Sequence, residues 1–171
     1  MDKRQVLKLT GGIALLSALG ATSAFAQSDT VKIGLILPMT GSQASTGRQI
    51  DAAVKLWMAQ NGSTVAGKKI EVILKDDGGV ADTSRRLAQE LVVNDKVSVL
   101  AGFGLTPIAL AVAPIATHSK TPMVDMAAAT SSVIKASPFM IRTSMTLPQA
   151  TLGIAEWAPK HRIKKGVTLV S

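Results

Sequence analysis

The chain has 171 residues, of which 47% are apolar, 3% aromatic and 18% charged; its formal net charge is +8, and it contains neither cysteine nor tyrosine. Such a length makes one domain at most, and its apolar content excludes general disorder and lets it bury roughly 70% of its unfolded surface. Without cysteine there is no disulfide scaffold, thiolate metal site or cysteine nucleophile.

Residues 1–26 read as an export signal: Lys3, Arg4 and Lys8 at the start, an apolar stretch over 11–20, then small residues Ala24 and Ala26, with cleavage expected after Ala26. The stretch is too short for a membrane span. Lys3-Arg4 stands where a twin-arginine signal has two arginines, which leaves the export route open. Without the leader the chain carries 16 basic and 10 acidic residues, a balance of +6. The only local basic cluster is Lys160-His161-Arg162-Ile163-Lys164-Lys165, which has no interleaved aromatic residues and reads as a solvated connection. Nucleic acid is not an expected partner.

Beyond the leader, β-rich apolar runs alternate with helical periodicity. This pattern predicts an α/β fold in three layers, a parallel sheet with helices on both faces. A strand over 31–37 stops at Pro38. A small, polar loop over 38–47 follows, and then a helix with Ile50, Val54, Trp57 and Met58 on one face. Asn61-Gly62-Ser63 breaks that helix, and 69–75 alternates as a second strand ended by Asp76-Asp77-Gly78-Gly79. A second helix is expected from Asp82, as its N-cap, to Asn94, with Leu87, Ala88, Leu91 and Val92 in one stripe. A buried strand over 97–102 leads to Thr106-Pro107, read as a hydroxyl cap followed by proline at the first helical position. The third helix runs towards Thr117, strands follow over 122–126 and 139–142, a fourth helix over 148–158, and a last strand over 167–170. Because the chain stops as that strand ends, it reads as a fragment.

Several chemistries find no support. Gly102-Phe103-Gly104 lacks the third glycine of a dinucleotide fingerprint, Gly67-Lys68-Lys69 lacks the hydroxyl residue of a P-loop, and no serine occupies a G-x-S-x-G elbow. His118 and His161 stand apart from each other and from nearby carboxylates. Asp76 and Asp77 are adjacent, so on a strand they point to opposite faces; with Gly-Gly behind them they read as turn formers in preference to a cation site. No metal and no cofactor are expected.

The loops after the strands remain. In an open α/β sheet a ligand sits beyond the carboxyl ends of the strands. There the first loop carries Ser45 and Thr46, another Thr106, and a third Ala127-Ala128-Ala129-Thr130. Thr106 is the sharpest candidate, because it places a hydroxyl beside the free amides of a helix start, a ready site for a carboxylate. Taken alone, both Thr106 and Thr130 are equally compatible with simple capping, but both project from the same edge of the sheet.

In order and spacing, Val31-Lys32-Ile33-Gly34, Pro38-Met39-Thr40-Gly41, Lys75-Asp76-Asp77, Val99-Leu100-Ala101-Gly102 and Arg142-Thr143 resemble the substrate-binding proteins of branched-chain amino acid type ABC transporters, the leucine/isoleucine/valine-binding family with the type I periplasmic fold. The resemblance implies two lobes that close on a small ligand, the closed form docking on a membrane permease. It makes this chain an incomplete type I lobe, with residues 27–144 as part of the first lobe and 145–171 as the start of the second. It assigns Thr106 and Thr130 as hydroxyls that bind the ligand carboxylate, and the backbone carbonyl of Ala128 as an acceptor for a ligand ammonium. Leu105 and Ala129 flank these positions. Thr46 stands where amino-acid binders often carry an aromatic residue, so an aromatic or aliphatic acid suits the site as well as an amino acid does. The implied protein is a periplasmic carrier, monomeric at full length, that catalyses no reaction; a ligand-sensing receptor on the same fold is the alternative.

Overall fold

The computed structural model describes residues 30–167. The expected leader and the expected strand over 167–170 lie outside the described residues, except for Val167 itself. In chain order the elements are β1 (Thr30–Leu37), α1 (Ala44–Asn61), β2 (Thr64–Val65), β3 (Lys68–Asp76), α2 (Ala81–Val93), β4 (Val99–Gly102), α3 (Thr106–Ser119), β5 (Met123–Asp125), a 3-10 turn (Val133–Ala136), β6 (Met140–Arg142) and α4 (Leu147–Lys160).

The sheet order is β2-β3-β1-β4-β5-β6. Five strands are parallel, and the two-residue β2 pairs antiparallel with β3 at one edge. β1 lies between β3 and β4, with Leu37 opposite Asp76 and Ile36 opposite Gly102. The chain therefore leaves β1 for one neighbour and later returns to its other side, which makes a topological switch point at the carboxyl ends of β1 and β4.

Strand alternation divides the core into two layers. On one face Ile36, Leu100 and Met123 pack with Leu87, Leu91, Ile108 and Val112 of α2 and α3. On the other, Leu35, Leu37 and Ala101 meet Ile50 and Val54 of α1. The stripe expected on α2 is observed, with Leu87, Ala88 and Leu91 buried. The stripe expected on α1 is shorter than its periodicity suggests, since Trp57 is 51% exposed. The α1 face is thinly covered: beside that helix an apolar groove of about 230 Å³ is lined by Ile33, Leu35, Val72, Ala101, Val124 and Met126, among others.

Two expected caps are not observed. The N-cap of α2 is Val80, and Asp82 lies inside the first turn. Buried Asp77 takes over the entrance to the helix: its carboxylate accepts from the Gly79 amide at 2.8 Å and from the Ser84 hydroxyl at 2.7 Å. The N-cap of α3 is Leu105, with no side-chain cap, and Thr106 is the first helical residue. Its hydroxyl is engaged elsewhere. The start of α4 shows a capping box, in which Thr146 accepts from the Gln149 amide and Gln149 reaches back to the Thr146 amide.

Candidate functional site

Three loops meet at the carboxyl rim of the sheet. The first, after β1, is tied to the end of β3 by Asp76, read from the sequence as a turn former. Its Oδ1 accepts from the amides of Met39 (2.8 Å), Thr40 (3.3 Å) and Gly78 (2.9 Å), and its Oδ2 from the Thr40 hydroxyl at 2.8 Å. The Gly78 amide is the leading cause that holds the Asp76 carboxyl below the usual range, and the Thr40 hydroxyl and the other amides act in the same direction. α1 begins at Ala44, earlier than the expected loop allows, so Thr46 belongs to its first turn. Gly47 sits so close to the Pro38 carbonyl that a Cβ there would collide with backbone.

The second loop is shaped by a kink at the end of β4. Gly102 has φ +113° and Phe103 φ +68°, a left-handed conformation that a bulky residue rarely adopts. The chain on both sides holds it in place: the Phe103 amide donates to the Ile36 carbonyl at 3.0 Å, and the Gly102 carbonyl accepts from the Met126 amide at 2.8 Å. Phe103 is fully buried, so packing offsets the backbone strain. The turn delivers Thr106 and Pro107 to the head of α3, whose first amides have no partner within the helix.

The third loop follows β5. Buried Asp125 accepts from the amides of Ala127 (3.2 Å) and Ala128 (2.8 Å) through Oδ1, while its Oδ2 has no partner. Burial pushes the Asp125 carboxyl above its ordinary value; the two amides and the Arg142 charge oppose that rise. Arg142, the register partner of Asp125 on β6, donates to the carbonyls of Thr130 (2.7 Å), Ala128 (3.4 Å) and Ser131 (3.4 Å). The loop is held through its amides by one side chain and through its carbonyls by the other.

The expected site residues separate into two groups. Thr106 and Thr130 come together, their hydroxyl oxygens 2.8 Å apart and partly buried. Ala128 is buried with its side chain in the core, and its carbonyl already receives Arg142. Ala129 binds the head of α4, accepting from the Leu147 amide at 2.8 Å. Leu105 packs against the α2–α3 core, so its side chain serves the core. Thr46 shares no hydrogen bond with Thr106 or Thr130. Asp125 and Arg142 were not singled out as site residues from the sequence; the available signal was a carboxylate ending an apolar strand, matched by an arginine ending the next. Among the described residues no three His, Asp or Glu side chains group as metal ligands.

A parallel sheet covered by helices on both faces, with its loops gathered at a switch point, is an open α/β architecture of the class that takes ligands beyond the carboxyl ends of its strands. Residues 30–171 match the family described as periplasmic binding protein, and the chain belongs to that family. It is 41% identical over 155 residues to Leu/Ile/Val-binding protein homolog 6 of Brucella abortus (strain 2308), covering 90% of this chain and 39% of that relative. The crystal structure of an ABC transporter solute-binding protein from Rhodopseudomonas palustris BisB5, in complex with 3,4-dihydroxybenzoic acid, is 61% identical with a TM-score of 0.78, over 80% of this chain and 38% of that one. A solute-binding protein from Rhodopseudomonas palustris HaA2, in complex with p-hydroxybenzoic acid, is 41% identical with a TM-score of 0.74, over 77% of this chain and 36% of its own. The chain thus spans less than two-fifths of the length of these relatives. They are binding proteins by name.

Proposed function

We propose that this chain is the N-terminal part of an exported solute-binding protein that serves an ABC importer and takes a small carboxylate, within that class a hydroxybenzoate, against Thr106 and Thr130. The observation that carries the reading is the hydroxyl pair at 2.8 Å on the carboxyl rim of the sheet, beside the open amides of α3. Two hydroxyls in mutual contact use one of their two protons on each other, which leaves one to donate to a carboxylate oxygen. The helix start adds a favourable field for the anion. The choice of a hydroxybenzoate is supported by the BisB5 relative at 61% identity, and by Thr46, a small residue at the position that resemblance associates with an aromatic side chain in amino-acid binders. Ala128 and Ala129 give the loop small walls. Residues 145–171 open a second lobe that completes the cleft, the leader is removed after Ala26, and the loaded carrier is monomeric and docks on a membrane permease.

The test is calorimetry on the full-length protein with 4-hydroxybenzoate, 3,4-dihydroxybenzoate and leucine. Saturable binding of a hydroxybenzoate in preference to leucine is expected. Preference for leucine overturns the choice of a hydroxybenzoate within the carboxylate class, and turnover of any bound acid overturns the carrier role.

A further inference from the structure

We propose that Asp125 is a positioning residue of the ligand loop that takes up a proton when an anionic ligand settles on Thr106 and Thr130, so that a carboxylate binds more tightly as the pH falls. The inference rests on the carboxylate site proposed above and adds a regulation to it.

The geometry is one of a buried charge with half its capacity unused. Val124 and Met126 face α1, so alternation turns Asp125 to the opposite side with Met123, where it is completely buried. Oδ1 is taken by two loop amides, and Oδ2, equally enclosed, has no partner. An ionised oxygen in that position is costly, whereas a protonated one is less so. Burial also raises the affinity of this carboxyl for its proton.

The groups facing Asp125 are few. β4 presents Gly102 at this level, the loop presents Ala127 and Ala128, and β6 presents Arg142. The histidine of α3, His118, lies in the last turn, at the far end from Thr106, and Lys135 of the 3-10 turn is exposed. Arg142 is therefore the charge that balances an ionised Asp125. A ligand carboxylate on Thr106 and Thr130 places a second negative charge two residues from the Ala128 amide that Asp125 holds. A solvent proton arriving on Oδ2 removes the repulsion and frees the Arg142 charge to favour the ligand. Oδ1 still accepts from both amides, so the loop keeps its shape through the change.

The experiment uses the full-length protein and 4-hydroxybenzoate, titrated by calorimetry at pH 7.5, 6 and 5 in buffers of different ionisation heat, with wild type and Asp125→Asn. Asparagine keeps the Oδ1 acceptor and cannot ionise, and the ratio of the two proteins' affinities cancels the ligand's own titration. Expected is net proton uptake on binding to wild type, with affinity at least about threefold higher relative to Asp125→Asn at pH 5 than at pH 7.5. Parallel pH profiles with no proton uptake overturn the role of Asp125 and leave the carboxylate site standing. If Asp125→Asn does not fold, proton uptake by wild type decides alone. Binding of leucine only overturns the hydroxybenzoate reading, and the same uptake measurement with leucine then decides for Asp125; binding of none of these acids overturns both proposals.

Discussion

The hydroxyl oxygens of Thr106 and Thr130 lie 2.8 Å apart although 24 residues separate them in sequence. One comes from the head of α3 and the other from the loop after β5, so the contact closes the rim of the sheet between β4 and β5. In the full-length protein, Thr106→Val is expected to weaken carboxylate binding, because an acceptor buried without its donor costs about 1–3 kcal/mol. Thr106→Ser, which keeps the hydroxyl, should retain most of the affinity. Calorimetric titration of both variants checks this, and unchanged affinity in Thr106→Val removes the residue from the site.

Gly102→Ala should destabilise the lobe severely. A Cβ at this position meets the Ile36 carbonyl of β1, and φ +113° is strained for any L side chain. Relief requires β1 and β4 to part at the switch point, a cost on the order of 3 kcal/mol or more. A urea midpoint equal to that of wild type would show that the strands separate more easily than their register suggests.

Two leucines on helices that cover opposite faces of the sheet should respond very differently to truncation. Leu91 of α2 is fully enclosed between the sheet and α3, and Leu91→Ala is expected to cost about 2–5 kcal/mol. Leu56 of α1 is 58% exposed, and Leu56→Ala should stay within about 0.5 kcal/mol of wild type. Denaturant unfolding of the full-length variants measures both.

Asp76 makes an acid-sensitive knot between the loops after β1 and β3. Its carboxyl is held below the ordinary value, first by the Gly78 amide. A depressed folded-state value contributes stability that is present above the unfolded value, about 3.9, and is lost as the pH falls through the lower folded one. The stability gap between wild type and Asp76→Ala should therefore be constant above about pH 5 and narrow below about pH 4. Melting temperatures across that range decide, and a gap independent of pH would show that the ionised carboxylate adds nothing beyond its shape.

The alternation of strands and helices was legible because β1 is a short continuous apolar run, buried on both faces from Gly34 to Leu37, while burial on α2 repeats about every 3.6 residues, and Leu87 and Leu91 fall where that period places them. Thr106 and Thr130 could be placed on one rim because parallel strands send their following loops to the same edge. Less legible were features decided by tertiary contact. The edge strand β2 depends on a turn in which Ala66 and Gly67 both adopt positive φ, and only the glycine announces such a turn. The cap residues of α2 and α3 were misplaced because Asp77 bonds Ser84 across the helix entrance and Thr130 claims the Thr106 hydroxyl. No local pattern marks Asp125 and Arg142 as partners, since only the register of β5 on β6 brings them level.

Trp57 on α1 and Trp157 on α4 are 51% and 52% exposed, the second stacked on His161 at 4.1 Å, and the chain has no tyrosine. Phe103 is the fully buried aromatic residue of the described core. The optical consequence is that both indoles emit from half-hydrated surroundings while the described fold is intact. Loss of the core leaves that emission almost where it began, so unfolding should be nearly silent in tryptophan fluorescence and plain in far-ultraviolet circular dichroism.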